Sequence, residues 1–169
     1  MLTDTDRRHV LAAEGWLELG DPKSAFEELD EVDPPNRADP FVLTVRFGTL
    51  VAAERWESAY EVADALTRMR PRRVEPFIWR AFVARQMPGR GPERARELLL
   101  EVVNKFPDSP MPAFNLACYN SALGRLDEAR RWLRAALDIA DRMGEGAKWK
   151  LQALNDADLD PLRRHLGLE

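Results

Sequence analysis

The residues in this chain that could do chemistry are few. One cysteine, Cys118, and two histidines, His9 and His165, make up its whole set of thiol and imidazole groups. A nucleophilic cysteine needs a histidine or a cation beside it to hold the thiolate, and neither histidine is close to Cys118 in sequence. Cys118 therefore reads as a small packing residue. Asp156, Asp158 and Asp160 imitate the opening of a calcium loop, but that loop needs glycine at its sixth position and glutamate at its twelfth. This chain has Pro161 and Gly167 there. The glycines of MPGRGPER lack the lysine and hydroxyl of a phosphate loop. Arg68, Arg70, Arg72 and Arg73 crowd the turn TRMRPRRVEP and could grip a carboxylate or phosphate; the competing reading is a solvated loop balanced by acidic stretches such as EELDEVD. No catalytic, metal or cofactor constellation emerges, so a non-catalytic protein is expected.

The bulk properties narrow the classes further. Among 169 residues the formal net charge is −4, which leaves no basic excess to neutralise a phosphate backbone and argues against nucleic-acid binding. Apolar runs such as LLLEVV are far shorter than the roughly 20 residues that span a bilayer, so no membrane insertion is expected. The start, MLTDTDRRHV, has acids and arginines where a secretory signal needs an apolar core. A single cysteine allows no internal disulfide and fits a reducing compartment. These features together lead us to expect a cytoplasmic protein.

The elements that would carry any site repeat along the chain. Four segments share one layout, an apolar helix, a short turn and a second helix with a small residue near its start: Ala25 (GDPKSAFEEL), Ala59 (ERWESAYEVA), Ala95 (RGPERARELL) and Ala129 (GRLDEARRWL). Their successive spacings are 34, 36 and 34 residues, and such a period marks a stacked repeat array. Asp21-Pro22 and Gly91-Pro92 place a capping residue before a proline at the first helical position, predicting the starts of second helices. Leu98, Leu99 and Val102, with Leu133, Ala136 and Leu137, form one-sided apolar stripes. Prolines 34, 35, 71, 107 and 110 fall between the pairs, where they stop helices. A lone hairpin cannot bury its apolar face, so neighbouring pairs must stack.

The pattern resembles the tetratricopeptide repeat. The third repeat keeps Trp79, Ala95, Leu99 and Pro107 of that motif; the fourth keeps Leu116, Ala117, Gly124, Ala129, Leu133 and Ala136. The first keeps Ala13, Gly20 and Ala25, and the second keeps Ala59 and Pro71 but has Phe47 where a small residue is usual. The resemblance implies an all-α, right-handed superhelix (solenoid) of antiparallel helix pairs, at about 6–39, 40–74, 76–109 and 110–141, closed by capping helices over 142–169. In the cap, a helix from about Ala147 to Leu154 carrying Trp149 and Leu151 is expected, then a short helix with Leu162 and Leu166. The ending ALNDADLDPLR is also similar to the tails of bacterial tetratricopeptide proteins, where an acidic segment closes the array.

The resemblance further implies a protein-interaction scaffold whose partner lies against the first helix of each pair. Projected onto this sequence, that concave wall carries Val10, Glu14, Leu17, Thr44, Gly48 and Val51 in the first half. In the second half it carries Phe77, Arg80, Ala84, Met87, Met111, Phe114, Cys118 and Ser121. The wall is apolar, with Arg80 its one cation, which fits a nonpolar partner segment better than a carboxylate clamp. The alternative is a homo-oligomeric module whose groove is covered by its own C-terminal helix or by a second copy.

Overall fold

The computed structural model describes residues 2–163, so His165, Leu166 and Gly167 lie outside the described residues. Among them the structure is all-α: α1 (Asp4–Glu18), α2 (Pro22–Glu31), α3 (Pro40–Ala52), α4 (Trp56–Met69), α5 (Glu75–Gln86), α6 (Gly91–Leu100), α7 (Pro110–Ala122), α8 (Leu126–Arg142), α9 (Gly146–Asn155) and α10 (Asp160–Arg163). The chain divides into two compact units, residues 1–76 and 77–169.

The small residues that defined the period are each wholly buried: Ala25, Ala59, Ala95 and Ala129. A methyl side chain at that point lets the paired helices approach closely, which explains the recurrence of alanine. The turn before three of them is also one repeated device. Gly20, Glu54 and Gly124 sit at φ of 76°, 53° and 73°, in the left-handed region. In each the next amide reaches back five residues, Asp21 to Trp16 at 2.9 Å, Arg55 to Leu50 at 2.8 Å and Arg125 to Asn120 at 2.9 Å. These bonds satisfy carbonyls that the ending helix would otherwise orphan. Gly144 repeats the turn between α8 and α9, with Glu145 bonding back to Ala140 at 2.9 Å.

In the first unit, Val10, Ala13, Ala25, Leu29, Val32, Val42 and Val45 form the core, with Leu17 and Phe41 packed against it. Asp6 fastens its start. Its carboxylate accepts the Thr3 amide at 3.0 Å and the Thr3 hydroxyl at 2.7 Å, then the Asp33 amide at 2.9 Å and the Asn36 side-chain amide at 2.7 Å. One buried acid thus caps α1 and ties it to the turn after α2. Asp21 caps α2 as its sequence predicts, accepting from the Ser24 amide at 3.1 Å. The other proline signal differs: α6 begins at Gly91 itself, after a turn with Gly89 and Gly91 at φ of 74° and 63°, and no side chain caps it.

In the second unit, Leu98, Leu99, Leu116, Tyr119, Leu133 and Ala136 fill the interior. A polar tie crosses it. Asn120, fully buried, donates to the Leu116 carbonyl at 2.7 Å and accepts from Arg96 at 2.9 Å, and Arg96 continues to Glu128 at 2.8 Å. The C-terminal elements follow α8 directly. The expected helix over about Ala147–Leu154 is present as α9, where Ala153 is buried and Trp149 and Leu154 are half-buried, whereas Leu151 is 59% exposed. A 3₁₀ turn, Ala157–Leu159, then leads into α10, and Leu159 and Leu162 are both buried.

Candidate partner-binding wall

The predicted wall residues separate into three groups. Val10, at 0% exposure, lies inside the core of the first unit and offers no surface. Phe77, Met87 and Phe114 are likewise buried packing residues; Phe77 meets Phe106 with ring centroids 5.3 Å apart. Their large side chains fill gaps between helices, which a register of exposed positions does not anticipate. Glu14, Leu17, Thr44 and Val51 in the first unit, with Arg80 and Met111 in the second, are half-buried. Thr44 spends its hydroxyl on the Pro40 carbonyl at 2.8 Å, and the Arg80 guanidinium lies 5.9 Å from the centre of the Phe77 ring.

On α7 the wall meets the C-terminal elements. Met111, Phe114 and Asn115 face Lys148, Trp149 and Gln152 of α9, with Asp156 at the edge, around a cavity of about 230 Å³. Phe114 and Trp149 pack edge-on at 5.2 Å and 61°, a favoured aromatic geometry. The Trp149 indole N–H donates to Glu145 at 3.1 Å, which holds the Glu145 carboxyl below its usual range, with Lys148 nearby adding to the effect. The floor is apolar and the rim offers amides and an ammonium, the usual make-up of a recognition pocket.

Beside it, one turn further along α7, the segment Asp156–Leu159 lies on the wall. Arg85 of α5 forms a two-pronged pair with Asp158, one arm at 2.7 Å, and its guanidinium is 5.7 Å from the centre of the Tyr119 ring. The Cys118 thiol donates to Asp156 at 3.5 Å, and Asp156 also accepts the Asp158 amide at 3.0 Å. Burial, then the two aspartates, push the Cys118 thiol far up from its ordinary value, so it stays protonated. Burial raises the Tyr119 phenol in the same way. Cys118, Asp156 and Asp158 bring donor atoms within 4.8 Å of one another. A metal there would have to displace Arg85 and deprotonate that thiol, so the cluster is bonded as an ion pair with a thiol donor. Sequence reading missed Arg85, Lys148, Trp149 and the two aspartates as wall residues. The ion pair joins residues 73 positions apart, beyond any local pattern.

Elsewhere, His9 bonds Glu28 at 2.8 Å. Of the four crowded arginines, Arg68 pairs with Asp64 and Arg73 with Glu75 at 3.0 Å, while the turn remains exposed. No helix among the described residues is long and apolar enough to cross a membrane.

Three solved structures share this arrangement of helices. A MamA RS-1 double mutant superposes with a TM-score of 0.66 at 17% identity, covering 99% of this chain and 94% of that one. Residues 41 to the end of MamA from Desulfovibrio magneticus RS-1 give 0.63 at 16%, with 96% and 99% covered. Pseudomonas aeruginosa PilF gives 0.66 at 18%, with 95% and 82% covered. The chain has the tetratricopeptide-repeat fold. No family model and no curated protein matches the sequence. The tetratricopeptide fold accounts for the recurring buried alanine and the recurring left-handed turn; at these identities it carries no assignment of partner.

Proposed function

We propose that the protein is a non-catalytic, tetratricopeptide-type scaffold that binds a segment of another protein. A large apolar side chain of that segment enters the cavity between α7 and α9. The observation that carries this reading is the cavity itself: Met111, Phe114 and Trp149 line it, and Asn115, Gln152 and Lys148 stand at its rim. Its volume suits one aromatic or branched side chain, and the rim amides can bond the backbone on either side. The half-buried Glu14, Leu17, Thr44 and Val51 form a further contact region on the first unit, and Arg80 one on the second.

The test is an affinity capture from the native lysate with wild type and with a Met111→Glu, Gln152→Glu variant. Both positions are accessible enough for the fold to tolerate the change, which circular dichroism verifies. Any protein retained by wild type and lost by the variant is then measured by calorimetry as a purified partner, with at least tenfold weaker binding to the variant expected. Identical capture lists, or equal affinities, would remove the cavity as the site.

A further inference from the structure

The wall beside the cavity is already occupied, and its occupant has the form of a peptide ligand. Residues 156–159 read Asp-Ala-Asp-Leu. Asp158 takes both arms of Arg85, Asp156 takes the Cys118 thiol, and Leu159 is buried to 1% exposure where the 3₁₀ turn meets α7. These contacts need only two carboxylates in alternate positions and one following leucine. Nothing in them requires that the segment be covalently joined to α9. Arg85 is held ready for a carboxylate by its position against the Tyr119 ring, 5.7 Å from the ring centre, since a stacked guanidinium keeps its donor fork pointing outward at small entropic cost.

We infer that the face built by Arg85, Cys118 and Tyr119 is a docking site for acidic segments of the form Asp-x-Asp-Leu in a partner protein, and that residues 156–163 are a displaceable strap holding the site closed. Charge complementarity selects the occupant: the cation Arg85 faces the wall, the thiol beside it is a donor, and the strap supplies an acid to each. The inference rests on the reading of the protein as an interaction scaffold and adds its regulation. The strap competes as an intramolecular ligand, with an effective concentration of order millimolar for a direct tether. An incoming segment must therefore bind well, or a first contact in the neighbouring cavity must pull Asp156 away. Asp156 belongs to both, bonding Cys118 on one side and edging the cavity on the other.

The experiment uses the whole chain and a fluorescein-labelled peptide of the sequence DADLDPL, read by anisotropy. Asp158→Asn weakens the strap without touching the receptor face, so the peptide should bind it about tenfold more tightly than wild type, because the competent fraction rises. Arg85→Gln should lose peptide binding, and Arg85→Lys should recover part of it. Hydrogen exchange of wild type gives a second readout that needs no variant: the Asp158 amide, bonded to Asp156, should lose protection when peptide is added. Equal affinity for wild type, Asp158→Asn and Arg85→Gln overturns the inference, as does a peptide that binds none of them and leaves strap exchange unchanged. A Met111→Glu, Gln152→Glu variant separates the two readings, since it alters the cavity and leaves Arg85 intact: an unchanged capture list with retained peptide binding overturns the cavity alone, and a lost partner with no peptide binding to wild type or Asp158→Asn overturns the strap alone.

Discussion

Cys118 is a built-in reporter of how firmly the C-terminal strap is held. It is 4% exposed and its thiol is pushed far up by burial and by Asp156 and Asp158, so a thiol reagent reaches it only when the strap opens. The perturbation is Asp158→Asn, which removes the charge facing Arg85. That pair is intermediate in burial, with side chains 28% and 27% exposed. Its loss therefore costs roughly 1–2 kcal/mol, between the values for surface and buried ion pairs. This converts to an increase of about five- to thirtyfold in the open population. The assay is the rate of labelling by dithionitrobenzoate between pH 7 and 9. If opening controls access, the variant labels faster by the same factor at every pH, because the reaction occurs from the open state with an ordinary thiol. If instead Asp158 acts only by suppressing the thiolate, the profile shifts along the pH axis. Asp160→Asn is the control, since Asp160 pairs with Arg163 on its own turn and should change the rate less than about twofold. A wild-type rate equal to that of the urea-unfolded chain, or no change in Asp158→Asn, would refute the reasoning.

Three further outcomes follow from local geometry. Asp6, whose pKa is lowered to about 2 chiefly by the Asp33 amide and then by Thr3, contributes stability that is present above the unfolded value near 4 and lost as pH falls towards 2; Asp6→Asn should flatten that acid limb in thermal melts. Asn120→Ala leaves Nε of the half-buried, charged Arg96 without its acceptor and should cost roughly 2 kcal/mol in urea unfolding, whereas Asn120→Ala made on an Arg96→Met background should cost markedly less. Glu54 holds φ 53° in a turn that uses glycine at 20 and 124, so Glu54→Gly should stabilise the first unit by about 1 kcal/mol, and a lower melting temperature would contradict the strain argument.

The repeat architecture was legible because it is written locally. A buried alanine, a left-handed turn and a one-sided stripe each lie within a few residues of one another, so the period survives even where single motif positions are lost, as at Phe47. The turn was legible only in part: Glu54 satisfies the same hydrogen-bond geometry as Gly20 and Gly124, and no residue preference announces it. The wall was harder because register gives direction and says nothing of cover. The register projects Val10, Phe77, Met87 and Phe114 onto the wall, yet each is buried. The place of Asp156 and Asp158 on the wall was not legible because their partners, Cys118 and Arg85, lie on α7 and α5, far away in sequence. On α9, Leu151 is 59% exposed while Trp149, Ala153 and Leu154 are covered, a division that the short pattern WKLQAL does not announce. The same physics makes the strap the place to look for regulation. Its polar contacts reach Arg85 on α5 and Cys118 on α7, and such non-local contacts can open without disturbing the helix pairs that frame them.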